Sequence, residues 1–283
     1  MASFTNFATL SYNGGTTNSN IVTGEILEAL TAVKTAVSAN YSAGDRITYA
    51  LSLVNTGTAA ITDYTVTDNL GGYTVGANTV YPLAYNAGTV RYYINGVLQT
   101  APTVTAGPPL TVTGLTVPAG GSAVLIYETT ATPVAPLATG SSITNTATIT
   151  GGGLTTLITA QATVETANSA DLTISKALSP TTVTENGQIT YTFVISNTGN
   201  TEATATGNVV VTDTFAPILR NIAVTYNGTA WTEGTNYTYN AATGVFTTLA
   251  GQITVPAASF TQNTDGTFTV TPGTATLVIT GTV

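Results

Sequence analysis

Only two lysines occur in the 283 residues, Lys34 and Lys176. An aspartate follows each in the chain, Asp68 and Asp213, and Asn145 completes a first set of three. All five sit in runs where every second residue is apolar or small: Leu30, Ala32, Lys34, Ala36, and Leu172, Ile174, Lys176, Leu178. The same holds for Tyr64, Val66, Asp68, Leu70, for Val209, Val211, Asp213, Phe215, and for Ile143, Asn145, Ala147, Ile149. Alternate residues of a strand share a face, so these polar groups are expected to point into a core. Burying an unpaired ammonium or carboxylate costs several kcal/mol, so such groups pair or become neutral. A neutral amine, a protonated acid and a carboxamide held together form a reactive set. The amine can attack the asparagine carbonyl while the acid polarises it and shuttles protons as ammonia leaves. Fixing all three groups in a core supplies an effective molarity that an amide in water never meets. The product is an isopeptide bond, neutral and suited to burial.

The second set, Lys176 and Asp213, has no asparagine on the last strand-like stretch, Ala275 to Thr282. A candidate lies near the other end. Ser3-Phe4-Thr5-Asn6-Phe7-Ala8-Thr9-Leu10-Ser11 is a near copy of Ser142-Ile143-Thr144-Asn145-Thr146-Ala147-Thr148-Ile149-Thr150. Phe4, Asn6, Ala8 and Leu10 then take the places of Ile143, Asn145, Ala147 and Ile149. The offset between these copies is close to that between the two lysines. The expectation is a donor strand that closes the second domain of a neighbouring copy and brings Asn6 to its Lys176, with Asp213 as proton shuttle. An unfinished sandwich exposes an edge that takes a matching strand. Donor and acceptor lie on different parts of the chain, so the contact is heterologous and builds an open filament unless a ring closes. Simpler readings are a solvated lysine duplicated with its repeat, aspartates that merely end strands, and a chance likeness in a threonine-rich chain. The apolar neighbours and the shared offset weigh against them.

The surrounding elements read as strands throughout. Ile47-Thr48-Tyr49 matches Ile189-Thr190-Tyr191, Asn55-Thr56-Gly57 matches Asn197-Thr198-Gly199, and Val66-Thr67-Asp68 matches Val211-Thr212-Asp213. Asn95-Gly96 and Asn227-Gly228 are hairpin-turn signals. The reading is an all-β chain of two tandem immunoglobulin-like β-sandwich domains preceded by an N-terminal donor-strand arm. Its parts are the arm (1–29), a complete domain (30–166) and a domain lacking its last strand (167–283). Within the arm the expected order is one strand over 3–11, a turn over 13–20, then Ile21 to Glu28.

Ala32-Val33-Lys34, Gly44-Asp45-Arg46-Ile47-Thr48-Tyr49, Asn55-Thr56-Gly57, Val66-Thr67-Asp68 and Ile143 to Thr150 together resemble the bacterial surface conserved repeat domain, domain of unknown function eleven. The resemblance covers both repeats, and the second departs from it by lacking the asparagine strand. It implies immunoglobulin-like sandwiches of cell walls, pili and spores. The lysine-to-asparagine arrangement is also similar to that of pilin-type domains, which use an Asp or Glu in the proton-shuttle role. With two repeats, the chain resembles subunits of clostridial endospore appendages. These resemblances imply an extracellular location on a spore or cell surface, with an anchor protein they do not name.

Composition narrows the alternatives. Charged residues are 6% of the chain and apolar ones 43%, and β-branched residues and glycine abound, which suits strands and turns. A net charge of −8 offers no basic patch for nucleic acid. No apolar run reaches the length of a membrane span, so no membrane insertion is expected. There is no cysteine and no histidine, which removes disulfides, thiolate metal sites and the commonest general base. Neither a metal nor a cofactor is expected, nor an enzyme acting on external substrates. Met1-Ala2-Ser3-Phe4 lacks the basic and apolar regions of a signal peptide. The rival readings are a stalk or glycan-binding module of a surface adhesin, with a hydrolase further off.

Overall fold

A computed structural model describes residues 2–26 and 29–283, and among them there is no α-helix. The chain divides into two compact units, Met1–Pro136 with Ser142–Glu165, and Leu137–Ser141 with Thr166–Val283. Residues 137–141 go with the second unit because Asn200 Nδ2 donates to the Leu137 carbonyl at 3.0 Å and Thr139 Oγ1 to the Asn200 carbonyl at 2.6 Å.

Residues 2–26 form four short strands, β1 (Ala2–Asn6), β2 (Thr9–Tyr12), β3 (Gly15–Asn18) and β4 (Val22–Ile26). β1 pairs with β4 and β2 with β3, both antiparallel, so the arm is one interrupted hairpin turning at Asn13-Gly14. The expected continuous strand over 3–11 breaks at Phe7-Ala8. There the Ala8 amide takes the Ser19 hydroxyl at 2.9 Å as acceptor instead of a ladder carbonyl. Residues 22–26, which follow the turn, run back along the first strand. Phe4, Phe7, Leu10 and Ile21 are all more than half exposed.

The rest of the first unit follows in chain order. β5 (Leu30–Ala36), β6 (Asn40–Tyr41), β7 (Arg46–Asn55) and β8 (Ile61–Asp68) come first. Short excursions follow, β9 (Tyr73–Val75), β10 (Asn78–Val80), β11 (Leu83–Tyr85), β12 (Arg91–Ile94), β13 (Val97–Leu98) and β14 (Thr103–Thr105). The long strands β15 (Leu110–Val117), β16 (Ser122–Ala131), β17 (Ser142–Gly151) and β18 (Ile158–Thr166) complete it. One sheet has the order β13-β12-β16-β7-β5, with β11 also on β16, and the other β14-β15-β8-β17-β18-β6. Strict alternation drives this. In β16 every second residue from Ala123 to Ala131 is buried, and Ile143, Asn145, Ala147 and Ile149 of β17 are buried while Thr144 and Thr150 face solvent. The Asn95-Gly96 turn has φ of 48° and 80°, the left-handed pair that a two-residue hairpin needs.

The second unit repeats one sheet and part of the other. Its strands are β19 (Leu172–Ser179), β20 (Gln188–Asn197), β21 (Thr212–Thr214), β22 (Arg220–Tyr226), β23 (Thr229–Trp231) and β24 (Tyr237–Asn240). β25 (Val245–Thr248), β26 (Ser259–Gln262), β27 (Phe268–Thr271) and β28 (Gly273–Thr282) follow. The order β19-β20-β28-β22-β23 corresponds to β5-β7-β16-β12-β13 of the first unit, and a short sheet β21-β25-β24 lies opposite. Its core includes Tyr191, Phe193, Phe215, Phe246, Leu277 and Ile279. The repeated Asn-Thr-Gly motif is a structural device. Asn55 and Asn197 are buried, accept from Gly57 and Gly199 two residues on, and donate to the Ala59 and Thr201 carbonyls at 2.8 Å each.

Candidate functional site

Lys34 lies on β5, the edge strand of one sheet, and Asp68 on β8 of the other. Their side chains meet across the core, Nζ to Oδ2 at 2.5 Å, with 0% and 2% of each side chain exposed. Asn145 is on β17 beside β8. Ala147 stands opposite Asp68 in the ladder, so Asn145 is a diagonal neighbour of the acid on the same face. It is wholly buried, and neither its Nδ2 nor its Oδ1 makes a hydrogen bond. A buried carboxamide with both ends unsatisfied costs free energy that a folded protein normally avoids. Here it stands on the core face that carries the acid, with the amine reaching across from the opposite sheet.

Two tyrosines complete the surroundings, and neither was identified from sequence. Tyr49 on β7 and Tyr127 on β16 are opposite each other and stack at 5.8 Å, with Lys34 Nζ 4.8 and 5.8 Å from their ring centres. The Tyr127 hydroxyl donates to Asp68 Oδ2, the oxygen that also takes Lys34. Burial holds the Lys34 pKa down to about 8 despite the opposing pull of Asp68. Burial, with the Asp68 charge adding to it, raises both phenols well above their usual value, so both remain protonated donors. The repeat comparison hides Tyr127 because its counterpart is aliphatic. β16 sets Tyr127 opposite Tyr49, whereas β28 sets Ile279 opposite Tyr191.

The second unit brings Lys176 and Asp213 together in the same way, Nζ to Oδ2 at 2.5 Å, but the surroundings differ. Lys176 keeps 40% of its side chain exposed and Asp213 17%, short of the burial expected from their apolar neighbours. The lysine rests against aromatic rings, 4.4 Å from the centre of Tyr191 and 5.4 Å from that of Phe193. The reason for its exposure is the face opposite. β8 of the first unit is flanked by β17, whereas within residues 166–283 β21 pairs only with β25. The inward residues of β19 are therefore uncovered, with Ile174 54% and Leu178 38% exposed. No asparagine side chain bonds to either member of this pair among the described contacts. Asn6 lies exposed on the arm hairpin, opposite Val22.

The first unit thus holds an amine, a carboxyl group and a carboxamide in one buried core, and the second holds the first two with an open side. No group of histidine, cysteine or acidic residues able to hold a metal occurs among the described residues.

No protein-family model matches the chain, and no curated protein sequence does. Among solved structures it is similar to a D312A variant of BcpA, the major pilin subunit of Bacillus cereus, at 14% identity and a TM-score of 0.40, covering 96% of this chain and 73% of that one. It is similar to the C-terminal fragment of the major pilin GBS80 of Streptococcus agalactiae at 14% identity and a TM-score of 0.37, covering 87% of both chains. The pilus backbone protein RrgB of Streptococcus pneumoniae matches at 13% identity and a TM-score of 0.36 over 86% of this chain and 55% of that one.

Proposed function

We propose that this chain is a structural subunit of a self-assembling extracellular filament, joined head to tail by its N-terminal arm and locked by Lys–Asn isopeptide bonds. One contrast carries the reading. The same Lys–Asp pair occurs twice, once with a buried asparagine strand beside it and once without, and a near copy of that strand lies unburied on the arm.

In the first unit, the Lys34–Asp68 ion pair moves one proton from amine to acid. Neutral Nζ attacks Cγ of Asn145, and Asp68 protonates Oδ1 of the tetrahedral intermediate. The carboxylate then takes a proton from Nζ and delivers it to Nδ2. The Nζ–Cγ bond forms, the Cγ–Nδ2 bond breaks, ammonia leaves, and the Oδ1 proton returns to Asp68 as the carbonyl re-forms. Tyr127 holds the acid in place through the reaction. In the second unit Lys176 and Asp213 act alike on Asn6 of another copy. Endospore appendage is the specific setting favoured by the motif resemblance, with the partner another copy of the same chain.

The chemistry has a pH signature. The reactive pair, neutral amine with protonated acid, carries the same single proton as the ion pair, so its share does not vary with pH while the pair holds one proton. Lys34 releases that proton near its depressed pKa of about 8. The bond-forming rate of newly synthesised, still unreacted protein should be level across mildly acid and neutral pH and fall about tenfold per pH unit well above 8. Mass spectrometry of timed, acid-quenched samples reads it, and a rate that climbs through pH 9 would remove Asp68 from the mechanism.

The test of the whole reading is deletion of residues 2–26. Negative-stain microscopy should show filaments for the parent chain and only dispersed, folded monomers for the deletion. Filaments of normal length without the arm would exclude it as the connector. A parent chain that stays monomeric at high concentration would favour a stalk module instead.

A further inference from the structure

In the first unit the sheet order between β8 and β6 is β8-β17-β18-β6, so two strands separate them. β18 is held on its far side by the segment around β6, with the Glu165 amide donating to the Ala39 carbonyl at 2.9 Å, and Tyr41 of β6 is fully buried. In the second unit the residue in the place of Tyr41 is Val183, and it is 38% exposed on a segment with no strand pairing. Both borders of the missing region are therefore open, at β21 and at Val183. By the order of the first unit, the gap corresponds to two strands.

The arm offers two strands in the matching register. In β17–β18, Ile143 is opposite Val164, Thr144 opposite Thr163 and Asn145 opposite Ala162. In β1–β4, Phe4 is opposite Gly24, Thr5 opposite Thr23 and Asn6 opposite Val22. Where the first hairpin has a medium pair, Ile with Val, the arm has a large and a small one. A Cβ on Gly24 would come within 2.4 Å of the Phe4 ring, so the glycine makes room for the phenyl. The core-facing volume of the pair is similar, and a register slip would lose the fit.

We infer that the donor is the folded hairpin of residues 2–26, which enters the second unit of another copy as a ready-made pair, β1 beside β21 and β4 beside the Val183 segment. This rests on the filament reading and specifies it. The arm needs no unfolding to dock, because the ladder between its strands is kept, and the docking surface includes Val22 as well as Phe4 and Asn6. Ile174 and Leu178 gain the cover that the inward residues of β5 have from the opposite sheet.

A disulfide lock separates this from insertion of one strand. Thr5 and Thr23 occupy the positions of Thr144 and Thr163, whose hydroxyls lie 2.8 Å apart across the ladder, and the chain has no other cysteine. Directly opposed pairs have Cα separations that suit a disulfide. The double variant Thr5→Cys, Thr23→Cys should polymerise equally well oxidised and reduced. Thr23→Pro, which disrupts only the return strand, should lower polymer yield by about tenfold or more at limiting concentration. A locked variant that stays monomeric until reduced would show that a single strand enters, and would overturn the inference while leaving the filament reading intact. Normal yield from Thr23→Pro would do the same. If the parent chain forms no polymer, both readings fall together.

Discussion

Purified chain is expected to be one ammonia lighter than its sequence requires, and Asn145→Ala is expected to lack that loss and to melt far below the parent. The bond would tie β5 to β17 and close a loop of roughly 110 residues. By the loop-closure argument used for disulfides, a link of that span is worth about 4.7 kcal/mol. For a sandwich of this size that translates to a fall of roughly 10–30 °C in Tm when the link cannot form. Lys34→Ala should do more harm. It removes the bond and also takes from Asp68, only 2% exposed, the nitrogen donor that Lys34 supplies, leaving it the Tyr127 hydroxyl and the Leu70 amide. A buried polar group left short of a partner adds about 1–3 kcal/mol. The sum lies within the whole stability of an ordinary domain, about 5–15 kcal/mol. Calorimetry on the three proteins should therefore rank parent, Asn145→Ala and Lys34→Ala in descending order. A parent with full sequence mass and a Tm equal to that of Asn145→Ala would eliminate the internal bond.

The second large effect is on the polymer. Filaments boiled in SDS should run as a ladder of covalent multimers, and Lys176→Ala or Asn6→Ala should reduce that ladder to a single monomer band. The strength of this change follows from chemistry rather than affinity, since without amine or carboxamide no bond can form at any concentration. Asn6→Ala should still assemble, because the ladder and the apolar contacts of Phe4 and Val22 do not depend on the carboxamide. Microscopy before boiling distinguishes loss of the bond from loss of docking. Bond formation should also lag assembly. Lys176, 40% exposed in the isolated chain, is solvated until a donor covers it, so the reaction waits for the partner. A ladder that persists in Lys176→Ala would place the intersubunit link elsewhere.

Much of this was legible in the residues themselves. Alternation placed Lys34, Asp68 and Asn145 on inward faces because a strand has period two, and burial of one side of each sheet turns that period into an address. The repeat was equally plain, since Ile-Thr-Tyr, Asn-Thr-Gly and Val-Thr-Asp recur at a near-constant offset. The likeness of Ser3–Ser11 to Ser142–Thr150 is what makes Asn6 the proposed counterpart of Asn145. The tertiary structure decided what spacing cannot express. Tyr127 reaches Asp68 only because β16 and β8 face each other from different sheets, and its counterpart Ile279 erased any repeat signal. The exposure of Lys176 depends on which strands lie over β19, a property of neighbours distant in the chain. The pairing of β1 with β4 likewise came from register across a turn, where Gly24 yields space to Phe4. Local pattern determines which face a side chain takes; only packing between sheets determines whether anything covers that face.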